Sequence, residues 1–364
     1  MIISHFFINR KRMIINSLLC CFLFSTFTSC DTKFDIKDIP EPIPQYTPPH
    51  PIRLALVLGG GGTKGMAHVG VLEEFENAGI PIDLIVGCSA GSIVGALYAD
   101  CPNAKHVKKV LKPLKTWDIL DINIWRGRYG IAQGGSLQSF LKRNLSCKCF
   151  ENLQIPLCVA ATDLLAGELV CLNSGSIVPA VHASCAVPLI FSPVILHERL
   201  LVDGGVADPV PVQIAKKMNA QVIVAVDLSV MLEKSCPSNL FGVAARSAEV
   251  KFLLQSESCV IGADVVIKPE LGSMGMFDDS NLQKTYLAGK HAAQQAIPRI
   301  LEVLCEKGIY FEERCPKCTH SHYYNLCDCA SDMENTLIEV QSEESLSIPL
   351  IGFDDQPCNE TKMY

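Results

Sequence analysis

Twice between residues 53 and 99 a short apolar run stops at a glycine cluster and gives way to apolar side chains at helical spacing. Arg53 to Leu58 (RLALVL) meets Gly59-Gly60-Gly61-Gly62-Thr63-Lys64-Gly65, after which Val69, Leu72 and Phe75 mark a helix over Met66 to Ala78 that ends at Gly79. Ile82 to Val86 then reads as a second strand, Gly87 to Gly91 as a tight turn, and Ser92 to Ala99 as the start of a helix. Two such units in succession predict parallel strands, because a chain that crosses back over a sheet through a helix re-enters in the same direction. Apolar runs at Pro156 to Ala161, Leu200 to Val202, Ala220 to Val226 and Asp264 to Ile267 supply further strands. Leu282 to Leu304 reads as a long closing helix interrupted by Pro298. The expected fold class is α/β, a mainly parallel central sheet covered by helices on both faces in three αβα layers. Hydrophobic residues at 49% leave ample material for that core, and a net charge of −7 argues against a nucleic-acid protein, whose footprint would be basic.

The amino terminus reads as an address. Arg10, Lys11 and Arg12 precede an uncharged stretch from Met13 to Ser29, which predicts a signal peptide over residues 1–29. Its ending, Phe27-Thr28-Ser29-Cys30, resembles the lipobox of bacterial lipoproteins, a resemblance that implies export, lipidation of Cys30 and anchoring at a membrane surface. An uncleaved anchor and an ordinary signal peptide remain alternatives. Residues 30–52 carry Pro40, Pro42, Pro44, Pro48, Pro49 and Pro51 and predict a semi-rigid spacer. The catalytic domain is expected over 53–306. A tail at 307–364 is rich in cysteine and then acidic, with eight acidic residues and one Lys from Ser331 to Tyr364.

Three glycine-bearing motifs follow strands. Gly60-x-Gly62-x-x-Gly65 satisfies the dinucleotide-binding fingerprint, with Asp83 about where a ribose-binding acid would sit, but fails as a Walker loop because Gly65 and Met66 follow Lys64. Gly87-Cys88-Ser89-Ala90-Gly91 is G-x-S-x-G between a strand and a helix, the setting of a nucleophile elbow. Asp203-Gly204-Gly205 follows Leu200-Leu201-Val202 and places an acid at a strand's carboxyl end, where sites gather in open α/β sheets. A turn-capping role is the plainer reading of Asp203 alone.

In this order the three motifs resemble those of the patatin-like phospholipases, in particular the bacterial branch, as do the neighbouring AHVGVL, SIVGALYAD and LVDGGVADPVPV. The resemblance covers roughly residues 53–230 and implies a lipid acyl hydrolase acting on phospholipids or related lipids. It implies Ser89 as nucleophile and Asp203 as general base. It also implies an oxyanion loop of Gly60, Gly61, Gly62, Lys64 and Gly65, with the N–H groups of Gly61 and Gly62 holding the charge, and elbow glycines Gly87 and Gly91 beside the DGG pair Gly204 and Gly205. Relatives usually carry Arg where this chain has Lys64. No cofactor is required by such a dyad.

Other features have plainer roles beside any functional one. His68 and His182 read as structural, and His291, His320 and His322 follow Asp203 without a strand-to-loop setting. Cys315, Cys318, Cys327 and Cys329 have the spacing of a structural zinc site, with disulfides as the competing reading in an exported chain. Leu111 to Phe150 shows no legible pattern; Trp117, Ile119, Leu120, Ile124 and Trp125 there suit an acyl-binding lid, a membrane contact or core packing alike. Two rival functions stay open: a dinucleotide-binding oxidoreductase, and a non-catalytic membrane-tethered lipoprotein that keeps a patatin-like fold.

Overall fold

The computed structural model describes residues 34, 36, 40–122, 129–232 and 236–310, without the side chain of Phe241. Cys30, Ile124, Trp125 and the tail cysteines Cys315, Cys318, Cys327 and Cys329 lie outside the described residues. The chain divides into Met1–Glu41 and Pro42–Tyr364, and every element below belongs to the second unit.

Strand β1 (Leu54–Leu58) leads through a 3₁₀ turn at Gly62–Gly65 into helix α1 (Met66–Asn77), and β2 (Leu84–Cys88) leads directly into α2 (Ala90–Asp100). The stretch that carried no legible pattern holds α3 (Ala104–Leu111), the single turn α4 (Thr116–Ile119), the short β3 (Gly130–Ala132) and α5 (Gly135–Asn144). Then come β4 (Leu157–Asp163), β5 (Glu168–Leu172), α6 (Ile177–Ser184), β6 (Leu189–Phe191), β7 (Val194–Leu196) and β8 (Arg199–Asp203). The chain closes with α7 (Val212–Lys217), β9 (Val222–Val226), α8 (Leu240–Cys259), β10 (Val265–Ile267) and α9 (Leu282–Glu306).

The main sheet runs β10-β9-β1-β2-β4-β8-β7, with β5 also paired to β4. From β10 to β4 all pairings are parallel, as two strand-turn-helix units require; β5, β8 and β7 join antiparallel at the other side. Alternation along the strands sorts side chains to opposite faces. Leu54, Leu56 and Leu58 face the core under α1, α2 and α9, whereas Ala55 and Val57 face a second core built with Val212, Ile214 and Ala215 of α7. Buried on both sides, β1, β2, β4 and β9 read as unbroken apolar runs.

Two expectations change in detail. Helix α9 is not interrupted at Pro298 but runs through it, because proline removes only the bond to Gln294 while Ile297, Ile300, Leu301 and Leu304 keep that face buried. The later part of the Pro-rich spacer is pinned to the domain: Asn173 exchanges hydrogen bonds with the Tyr46 backbone at 3.0 and 2.9 Å, and Ser174 Oγ donates to Pro44 O at 2.8 Å.

Candidate active site

Strand β2 ends at Cys88, and Ser89 must turn the chain at once into α2. It does so at φ 51°, ψ −119°, a conformation an L-residue adopts only under strain. The strain is held by its surroundings. The Ser89 N–H donates to Ser184 Oγ at 2.8 Å, and the Ser89 carbonyl accepts from Ser92 N at 2.8 Å and Ser92 Oγ at 2.6 Å. The turn is so tight that a Cβ on Gly91 would lie 2.0 Å from Leu58 O, which is why the elbow carries glycine.

Asp203 reaches this elbow through strand register. Cys88 pairs with Ala160 on β4, and Asp203, at the end of the antiparallel β8, pairs with the next residue, Ala161. The carboxyl ends of β2 and β8 therefore meet head to head along one side of β4. Thr162 locks the acid's turn in place: its Oγ1 donates to Asp203 O at 2.8 Å and accepts from Ala207 N at 3.1 Å. One Asp203 oxygen accepts from the Gly205 N–H at 2.7 Å. The other is buried without a hydrogen-bond partner among the described residues, and the Ser89 hydroxyl lies close enough to the carboxyl to favour its charged form. Burial outweighs both contacts and raises the Asp203 carboxyl to about 6. The same burial, with Asp203 nearby, pushes the neighbouring thiols of Cys88 and Cys185 far up, so neither offers a thiolate nucleophile.

The glycine loop lies across the cleft from this pair. Gly60 donates its N–H to Pro209 O at 2.9 Å and Thr63 to Met276 O at 2.9 Å, whereas the N–H groups of Gly61 and Gly62 have no protein acceptor among the described residues. Gly60 therefore shapes the loop, and the Gly61 and Gly62 N–H groups are the ones left for another acceptor. Gly62 sits at φ 63° with Met276 O only 2.1 Å from where a Cβ would be. His68 supports the loop from below, its Nε2 donating to Gly59 O at 2.8 Å; full burial lowers it to about 4, so the ring is neutral and structural. His182 is likewise buried, its Nδ1 3.0 Å from Gln138 Nε2, and burial lowers its basicity.

Lys64 departs from the expectation. Its side chain does not line the Ser89 cleft but a separate hollow with Glu249, Phe252 and Met276. Its ammonium stands 6.0 Å from the Phe252 ring centre; burial lowers it to about 8, against the opposing pull of Glu249 and Asp227. With Phe252 filling the space beside Gly60 and Gly205, Lys64 braces the back of the loop.

The cleft beside Ser89 has an open volume of about 140 Å³, and its walls are mostly apolar, Met66, Ile93, Leu137, Val187, Phe191 and Met276 among them, with Thr63, Lys115 and Thr116 as polar lining. Ile119 and Leu120 line it, and Trp117 is 71% exposed. The dinucleotide reading loses its acid. Asp83 accepts from the backbone N–H groups of Arg53 and Leu54 at 2.9 and 3.0 Å and pairs with the Arg53 guanidinium at 2.9 Å, at the opposite end of the sheet from the glycine loop. Among the described residues no group of His, Cys, Asp and Glu is placed to hold a metal ion.

Residues 56–216 match the family model for patatin-like phospholipases, an interval that contains all three glycine motifs. Over these residues the fold is patatin-like. The patatin-like domain is 35% identical over 179 residues to an uncharacterized NTE family protein of Mycobacterium bovis, covering 49% of this chain and 49% of that protein. It is 34% identical over 191 residues to patatin-like phospholipase domain-containing protein 6 of Mus musculus, covering 48% of this chain and 13% of that one. A lysophospholipase of Debaryomyces hansenii is 31% identical over 179 residues, 48% of this chain and 12% of the fungal protein. The chain thus spans half or less of the length of these curated relatives.

Thr162, Ser184, Cys185 and Phe252 join the site only in three dimensions. Nothing in their local sequence marks them, since each contacts a motif at least forty residues away from it along the chain.

Proposed function

We propose that this chain is a lipid acyl hydrolase that cleaves acyl esters of phospholipids or related lipids through a Ser89–Asp203 dyad. The observation that carries the reading is a strained serine beside a buried carboxylate, in the wall of a mostly apolar cleft that Gly62 also lines, with the Gly61 and Gly62 N–H groups unpaired among the described residues. An acyl chain would lie along Ile93, Leu137 and Phe191 with its ester carbonyl at Ser89.

Asp203 takes the Ser89 proton as Oγ attacks the carbonyl carbon, and the oxygen that becomes negative is held by Gly61 and Gly62 N–H. Collapse of this intermediate forms the acyl-enzyme and expels the alcohol, which leaves with the proton from Asp203. A water then enters, gives its proton to Asp203 and attacks the acyl carbonyl; the fatty acid leaves and Ser89 recovers its proton. No histidine is needed, which fits the neutral, structural settings of His68 and His182.

Fatty-acid release from phospholipid vesicles by the full chain, run beside Ser89→Ala and Asp203→Asn, tests the proposal. Both variants are expected at background. Release that survives Ser89→Ala overturns the assignment of the nucleophile. Lipidation at Cys30 would tether this activity to a membrane, and the mass of the mature amino-terminal peptide decides that point.

A further inference from the structure

The chain carries a net charge of −7, yet residues 101–117 contain Lys105, Lys108, Lys109, Lys112 and Lys115 and no acidic residue. Helix α3 sorts them. Ala104 and Val107 are buried with Leu111 against the core, whereas Lys105, Lys109 and Lys112 recur at i, i+4 and i+7 and form one exposed stripe. Lys108 lies apart from that stripe, its ammonium 3.3 Å from the Tyr286 ring centre.

The stripe runs into the mouth of the Ser89 cleft. Leu111, Leu114, Lys115 and Thr116 line the cleft directly after α3, and the next residue is Trp117, 71% exposed. Phe277, 41% exposed and also lining the cleft, lies beside this segment, where Thr116 Oγ1 donates to its carbonyl at 3.3 Å. The acids nearby are engaged with backbone N–H groups: Asp118 with Lys115 N, Asp121 with Gln133, Gly134 and Gly135 N, Asp278 with Ser280 N and Asp279 with Thr116 N. At α3 itself Glu76 accepts from the Ala104 N–H at 2.7 Å, and Glu73 is engaged by Tyr286 and Lys290.

We propose that α3 and Trp117 form a docking surface for a bilayer bearing anionic lipids. Lys105, Lys109 and Lys112 meet the headgroups while Trp117 and Phe277 enter the interface, so that an acyl chain leaving the bilayer meets an apolar cleft and not water. Aromatic side chains favour this depth, and exposed lysines close to an anionic surface add attraction that falls with salt. The choice of a lipid surface as occupant rests on the hydrolase reading and on the match between a basic stripe and anionic headgroups.

Trp117 reports on this directly. The chain has two tryptophans, so Trp125→Phe leaves Trp117 as the sole tryptophan in the otherwise unchanged sequence, excited selectively at the red edge of its absorption. Vesicles of phosphatidylglycerol and phosphatidylcholine with brominated acyl chains are expected to quench its emission, and pure phosphatidylcholine vesicles to quench it far less. Lys105→Glu, Lys109→Glu and Lys112→Glu together are expected to lower quenching at fixed lipid by about tenfold or more at physiological salt, since each lysine acts on the same surface potential. Hydrolysis of a soluble short-chain ester should be unchanged. Absence of quenching by anionic vesicles, or equal quenching for the triple variant, overturns the docking surface. Quenching that persists in a protein inactive on every ester sinks the hydrolase reading alone, so the two failures are distinguishable.

Discussion

Ser89 and Asp203 stand together because the strands that end at them meet head to head on β4, with Cys88 paired to Ala160 and Asp203 to Ala161. A slip of one residue in either pairing would turn the carboxylate to the other face of the sheet. The dyad is therefore a property of register across three strands, and its energetics follow from being buried there.

Burial raises Asp203 from 3.8 to about 6. A general base must be ionised, so kcat/KM on a soluble ester is expected to rise about tenfold per pH unit below 6 and to level off above it. The effect on stability has the opposite sense. The unfolded chain releases this proton near 3.8 and the folded chain only near 6, so the contribution present in full below 3.8 is lost as pH rises to 6. A shift of this size corresponds to up to about 3 kcal/mol. Asp203→Asn is expected to abolish activity yet raise Tm at pH 7.5, with the gain fading toward pH 4; an unchanged Tm at pH 7.5 would count against the desolvated carboxylate.

Ser89 holds φ 51° under strain, and glycine would adopt that conformation without penalty. Ser89→Gly should stabilise the fold by roughly 1 kcal/mol, while Ser89→Ala retains the strain. Urea midpoints of the two inactive variants, compared at one pH, check the difference.

Thr162→Val would strip the acceptor from the Ala207 N–H and the donor from Asp203 O in a setting only 2% exposed. A loss of about 1–3 kcal/mol is expected, and the pH–rate profile should shift as the acid's turn loosens. Thr162→Ser keeps the hydroxyl and should restore the profile. Equal behaviour of the two variants would show that the hydroxyl does not position Asp203.

Gly91→Ala brings a Cβ to 2.0 Å from Leu58 O, in a buried strand with no room to retreat. The cost is expected to exceed about 4 kcal/mol, enough to prevent folding, and circular dichroism of any soluble fraction reads it out.

Much of the site is legible along the chain because an elbow is a local object: a strand, two glycines and a serine force their own turn in whatever sheet they join. The same holds for Asp203 behind β8 and for the alternating strands and helices that specify an α/β fold. Between Leu111 and Phe150 less was legible: Leu137, Phe140 and Leu141 of α5 do recur at helical spacing, but Ile119 and Leu120 pack against Phe191 and Thr116 binds the Phe277 carbonyl, contacts set by distant segments.

Local spacing thus sufficed for the sharp turn at Ser89, the acid at the end of β8 and the layer architecture, since turn geometry and apolar periodicity depend on consecutive residues. Pro209 capturing the Gly60 N–H, Lys64 turning away from Ser89, and Thr162 clamping the acid's turn all depend on segments brought together from afar. Hydrogen-bond partners and side-chain directions are chosen by what the packed neighbours leave unsatisfied, and that exists only once the sheet has closed around them.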